Sequence, residues 1–269
     1  MDRGAGGVIL SVARAQRARS RTAHLDFDDV VYGIHVVEEA LAAGDALRAI
    51  HVFEGRKRDP LLRQIVAQAK ERGIPVRFEA RSFFAQLPFK THQGVVAISP
   101  PFAYVNLCDV MSARKTSAAL YVLLDHLTDP HNVGAIIRTA ESAGADAVIL
   151  PERRSAGINA TVRKAAAGAA GYLPVARVSN INEAIRSLKK AGVWVAGAAA
   201  GEGTVPFWQA DFDRDLALVV GAEGSGLAPL VRRECDYLVS IPMLGKTESL
   251  NASVAAGVLL YEVIRQRRH

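Results

Sequence analysis

From Ala118 onward, short apolar runs alternate with segments of helical period, and this alternation restricts the fold more than any other feature of the chain. The runs are ALYVLLD, DAVIL, VWVAGAAA, LALVVG and YLVSIP. Between and after them lie NVGAIIRTAESAG, a segment around ATVRKAAAGAA, NEAIRSLKKAG, a short helical stretch before YLVSIP and a last helix from Leu250. Apolar strands separated by helices predict an α/β fold with a parallel sheet covered on both faces. In such a sheet, ligands bind beyond the carboxyl ends of the strands, where loops converge. Three loops fall at such ends: LTDPHN, GAEGSGL and PMLGKTESLN.

The middle loop, Gly221 to Leu227, is rich in glycine yet carries Glu223 and neither Lys nor Arg. It is not GxGxxG and lacks the Lys of a P-loop. Its glycines allow the backbone to approach a ligand closely. Glu223 taken alone also suits the N-terminal dipole of the helix that follows. In the first loop, Asn132 directly precedes the apolar period Val133, Ile136, Ile137, Ala140 and reads as an N-cap. Arg138 falls on the polar side with Gly134, Glu141 and Ser142, and pairs in the plainest reading with Glu141. His131 reads as a turn residue and supports neither a metal nor a base. In the third segment Leu250, Val254, Val258 and Tyr261 share one stripe. Ala252, Ser253, Ala256 and Gly257 leave much of the rest small enough for close packing. Ser249 reads as the N-cap. Asn251 falls in the first turn, where Asn competes for backbone bonds and serves stability poorly.

Residues 28–99 form a separate pattern. YGIHVVEEALAAG predicts a helix with Ile34, Val37, Ala40 and Leu41 on one face and Gly44 as its stop. A strand AIHVF follows, then a helix DPLLRQIVAQAKERG with Pro60 in its first turn, then strands PVRF and GVVAIS. Residues 100–117, PPFAYVNLCDVMSARKTS, break the periodicity and read as a linker, so that residues 28–99 and 118–269 are two domains. Residues 1–27 hold the Arg-rich stretch VARAQRARSRTAH. An unstructured start, an arm that touches nucleic acid and a transit peptide are all consistent with it.

The net charge of +6 favours a polyanionic partner without identifying one. Arg56, Lys57 and Arg58, and the basic RQRRH, suit phosphate contact or plain solvation equally. The two cysteines, Cys108 and Cys235, have no CxxC or Cys/His spacing. This argues against a disulfide framework or a structural zinc site and fits a reducing cytoplasm. No apolar run approaches the length that spans a bilayer.

Together, NVGAIIRTAESAGADAVIL, GAEGSGL with IPM after it, and SLNASVAAGVLLYE resemble the three ordered motifs of the SpoU (TrmH-type) RNA ribose 2′-O-methyltransferases. YGIHVVEEAL and HQGVVA resemble the small ribosomal-protein-like RNA-binding domain of the subgroup that modifies 23S rRNA. The resemblance implies that residues 28–99 bind the RNA substrate. It also implies that residues 118–269 form a SPOUT α/β knot, a deep trefoil that sequence reasoning alone would exclude. It implies a cytoplasmic homodimer to which the last helix contributes. The implied cofactor is S-adenosylmethionine, with Gly221, Ile241 and Leu250 at cofactor-contacting positions. Asn132, Arg138, Glu223, Ser249 and Asn251 match the family's functional positions, and no metal is required. The implied reaction is 2′-O-methylation of a guanosine of 23S rRNA in the peptidyl-transferase region. A tRNA guanosine or an rRNA adenosine as target, and a non-catalytic RNA-binding knot, stand as alternatives.

Overall fold

A computed structural model describes residues 29–44, 46–113 and 118–268. The Arg-rich N-terminal stretch lies outside the described residues. The chain divides into two compact units between Phe102 and Ala103.

The first unit is a four-stranded sheet of order β1-β4-β2-β3, built from β1 (Val30–Tyr32), β2 (Ala49–Phe53), β3 (Val76–Glu79) and β4 (Val95–Ile98). β4 pairs antiparallel with β1 and β2, and β2 pairs parallel with β3. α1 (Ile34–Ala42) buries Ile34, Val37, Ala40 and Leu41, the face expected from the spacing, and ends before Gly44, whose φ is 86°. Tyr32 belongs to β1 and not to this helix. A three-residue strand is too short to show a period of its own. α2 (Pro60–Glu71) carries Pro60 in its first turn and is capped by Asp59, which accepts the Leu61 N–H at 3.1 Å. Of the basic triplet, Arg56 is engaged within the fold, donating to the Gln93 carbonyl and the Asp59 carboxylate. Lys57 lies 4.6 Å from the centre of the Phe78 ring. A short helix, α3 (Arg81–Ala85), buries Phe83 and Phe84.

The second unit holds a seven-stranded parallel sheet of order β7-β6-β5-β10-β8-β11-β9. The five expected runs are β5 (Leu120–Asp125), β6 (Ala147–Pro151), β8 (Trp194–Ala198), β10 (Leu216–Gly221) and β11 (Tyr237–Ser240). β7 (Val175–Val178) and β9 (Val205–Pro206) are additional edge strands. Both escape the apolar pattern because an edge strand has one solvated side, as exposed Arg177 and Val205 illustrate. Residues 100–117, expected as a linker, are partly structured. Val105 bridges to Ala176, and α4 (Leu107–Ser112) places Val110 in the core. Its single buried turn is too brief to produce a periodic signal.

One face of the large sheet is covered by α4, α7 (Ile181–Lys190) and α8 (Pro229–Glu234). Ile185, Leu188 and Val231 pack there on Tyr121, Leu123, Ala217 and Val219. The alternating residues Val122, Leu124, Leu218 and Val220 point to the other face. There α5 (Pro130–Ser142) packs against both α6 (Ala160–Ala166) and α9 (Ala252–Arg267). α9 turns Ala252, Ala256, Leu259, Leu260 and Val263 inward. Val254 and Tyr261, of the expected stripe, are 51% and 55% exposed. Of the expected stripe, Val254 and Tyr261 therefore face outward, while Leu259, Leu260 and Val263 turn inward with the small side chains.

The end of α9 is fastened by a polar network. Arg267 donates to the carbonyls of Ala118, Ala119, Phe212 and Arg214 at 2.8, 2.9, 3.3 and 2.7 Å. Gln266 accepts the Phe212 N–H at 2.8 Å and donates to Ala210 and Glu262. The Arg265 guanidinium beside Glu262 holds that carboxyl below the usual carboxylate range. Two arginines of RQRRH thus serve the fold, Arg265 within α9 and Arg267 at the amino ends of β5 and β10. Among the described residues no helix is long and apolar enough to cross a membrane.

Replacing Arg267 by Ala removes four hydrogen bonds to backbone carbonyls, and a loss of roughly 2–4 kcal/mol is expected. Exposed Arg268→Ala is the control and should stay within about 0.5 kcal/mol. Denaturant unfolding of the two variants checks both values.

Candidate functional site

The carboxyl end of β5 sits level with that of β10, Asp125 beside Gly221. Asp125 is fully buried and accepts the Ala228 N–H at 2.7 Å, while its other oxygen bonds to His126 Nδ1. The far end of the glycine loop is therefore pinned to the neighbouring strand. Within the loop, Ala222 and Gly226 exchange backbone hydrogen bonds of 3.2 and 2.9 Å. This folds the loop back onto Gly221, where a Cβ would stand 2.3 Å from the Gly226 carbonyl carbon. Only glycine fits that position. Gly226 itself has a φ of 65°, in the left-handed region.

The loop presents Glu223 to two other segments. α5 is capped not by Asn132 but by Asp129, which accepts the His131 N–H at 2.9 Å, with Pro130 at the first helical position. Asn132, buried to 7% exposure, instead donates from Nδ2 to Glu223 Oε1 at 2.8 Å. α9 is capped not by Ser249 but by Asn251, whose Oδ1 accepts the N–H groups of Ser253 and Val254 at 3.0 and 3.3 Å. Asn251 Nδ2 donates to Asn132 Oδ1 at 2.9 Å and to Glu223 Oε1. The Ala252 N–H adds a third donor to that oxygen at 3.2 Å. An amide is needed at 251 because the position must accept as a cap and donate to the cluster at once. A hydroxyl lacks the second donor. Glu223 thus complements the dipole of α9, and not that of the helix that follows its own loop.

Beside this cluster lies a pocket of about 190 Å³ above the ends of β8, β10 and β11. Gly221, Ile241 and Leu250 all line it, together with Glu223 and Ser249. Ala198, Ala199 and Ala200 after β8, and Met243, Ala255 and Leu259, complete much of the wall. None of these was singled out from sequence. The run of three alanines at a strand's carboxyl end was the available signal, since small residues there leave room for a ligand. Among the described residues no Lys or Arg lines the pocket.

Arg138 stands apart. It is exposed on α5, and its guanidinium makes no ion pair or hydrogen bond with the described residues, Glu141 included. Ser249 is likewise exposed, and it lines the pocket. The structure therefore gathers Asn132, Glu223 and Asn251 into one cluster and Gly221, Ile241, Leu250, Glu223 and Ser249 around one pocket. Arg138 is left reaching toward solvent.

Residues 119–261 match the SpoU rRNA Methylase family, and residues 30–105 match RNA 2′-O ribose methyltransferase substrate binding. A Synechocystis protein named as an uncharacterized tRNA/rRNA methyltransferase is 43% identical over 242 residues, 89% of this chain. The match covers 63% of that relative, so the chain spans less than two thirds of its length. A putative TrmH family tRNA/rRNA methyltransferase of Staphylococcus haemolyticus is 41% identical over 89% of this chain and 96% of its own. Among solved structures, the AdoMet-bound rRNA methyltransferase of Sinorhizobium meliloti aligns with a TM-score of 0.72 at 28% identity. That alignment covers 98% of this chain and 96% of the other. The matched segments contain both the hydrogen-bonded cluster and the pocket, and the chain belongs to the SpoU rRNA methylase family.

Proposed function

We propose that this protein methylates a ribose 2′-oxygen of RNA with S-adenosylmethionine as donor, and that its target is a guanosine of 23S rRNA in the peptidyl-transferase region. The observation that carries the proposal is the apolar, cation-free pocket adjoining the Asn132–Glu223–Asn251 cluster. Such a wall suits an adenosine bearing a sulfonium cation and does not suit a nucleotide's phosphates. Ile241 and Leu250 offer apolar surface, and the folded-back loop at Gly221 offers main-chain groups. When bound there, the cofactor supplies an activated methyl group for transfer to oxygen.

The chain's own residues have distinct tasks. Arg138 carries a fork of donors with no partner among the described residues, and is available to a phosphate or to the charge that develops on the ribose oxygen. A guanidinium stays protonated in proteins, so Arg138 is not the proton acceptor. Asn132, Glu223 and Asn251 spend their polar atoms on one another and on the start of α9, so their task is to hold the loops in position. Ser249, which lines the pocket, is free to meet substrate.

Residues 30–105 deliver the RNA, in keeping with their match to a substrate-binding domain. The chain acts in the cytoplasm as a homodimer formed across the outer face of α9. The half-exposed Val254 and Tyr261 support this contact. The interlocking of the 221–227 loop with the start of α9 also favours the knotted course expected of the family.

Deleting the gene should remove one ribose methylation from 23S rRNA, read by mapping 2′-O-methyl sites across rRNA and tRNA. A missing mark in tRNA instead would overturn the target and keep the chemistry. Arg138→Ala should lose methylation at least a hundredfold in single-turnover assays while calorimetry shows cofactor affinity largely kept. Glu223→Ala should lose activity and also about 2 kcal/mol of stability, because three donors lose one acceptor. Unchanged melting would mean that the carboxylate does not hold the loops. Sedimentation should give a dimer for the native chain and a monomer for the Val254→Asp, Tyr261→Asp double variant.

A further inference from the structure

Among the described residues only two ionisable side chains line the pocket, and both are carboxylates. Glu223 is committed, its Oε1 taken by Asn132, Asn251 and the Ala252 N–H. Glu248, three residues before the Asn251 cap, is exposed at the pocket wall and makes no hydrogen bond or ion pair with the described residues. Among the described residues that line the pocket it is the one ionisable side chain with no hydrogen-bond or ion-pair partner, and neither the cluster nor the fold explains it.

We infer that Glu248 receives the α-ammonium of the methionine portion of the cofactor, a role that rests on the cofactor assignment proposed above. Two cations are available on that molecule, the sulfonium and the ammonium, and the reaction distinguishes between them. The sulfonium loses its charge as the methyl leaves. A carboxylate against it would hold the reactant more tightly than the transition state and slow the step. The ammonium keeps its charge throughout. A carboxylate there attracts reactant, transition state and product alike, adding affinity and orientation without opposing transfer. The same pairing leaves the product's sulfur unattended by any charge. Glu248 is therefore a specificity determinant for the amino-acid end of the ligand.

Calorimetric titration of the wild type and Glu248→Gln with three ligands tests this. The ligands are S-adenosylmethionine, S-adenosylhomocysteine and 5′-methylthioadenosine, which lacks the amino-acid portion. The variant should bind the first two about tenfold more weakly, the size expected for loss of a charged hydrogen bond, and bind the third as the wild type does. Its melting temperature should not move, since Glu248 supports no part of the fold. Weakening for S-adenosylmethionine alone would place the carboxylate at the sulfonium and overturn the inference. Equal weakening for all three ligands, or none for any, would overturn it as well. A wild type that binds none of the three defeats the cofactor assignment and this inference with it, a result unlike any pattern that separates the variant from the wild type.

Discussion

One carboxylate oxygen, Glu223 Oε1, collects donors from Asn132, Asn251 and the Ala252 backbone, and the arrangement of the whole site follows from it. The three segments are far apart in sequence. Asn132 and Asn251 are separated by 119 positions and Asn132 and Glu223 by 91. Each lies in or just after a connection that leaves the sheet at its carboxyl end, where backbone alone gives no reason to converge. The charge on Glu223 strengthens each bond relative to a neutral acceptor. It also sits where the first N–H groups of α9 are unsatisfied, so the helix end and the two asparagines share a single centre.

The architecture was readable where periodicity was long. The face of α1 formed by Ile34, Val37, Ala40 and Leu41, and the five apolar runs of the large sheet, appear as expected. The helix caps were misread, for a shared reason. Asn132 and Ser249 both have the right side chain just before an apolar period, but Asp129 and Asn251 do the capping. Local sequence ranks cap candidates by propensity. It does not register that Pro130 starts α5 earlier, or that residue 251 must both accept and donate. α4 and β7 were lost because each is a few residues long and only partly buried.

The pocket was readable in part. Gly221, Ile241 and Leu250 were singled out through their resemblance to known motifs, and all three line the same pocket. Ala198 to Ala200 were not found, because alanine carries no chemistry of its own. Their contribution is the volume they leave open, which becomes visible only once β8 lies beside β10 and β11. The absence of Lys and Arg from the GAEGSGL loop was the informative negative, and it extends to every described residue that lines the pocket.

The fastening of α9 by Arg267 has a consequence for how the protein comes into being. That guanidinium reaches back to Ala118, 149 positions away, and α9 supplies Ala252, Ala255 and Leu259 to the pocket. Loop closure over such spans is slow and must precede the contacts that reward it. A chain still emerging from the ribosome can assemble β5 to β8, yet its ligand cavity lacks the wall that α9 supplies until Ala252, Ala255 and Leu259 have been made. Completion of the site therefore waits on α9, whose contacts close a cavity that the earlier strands and loops leave open.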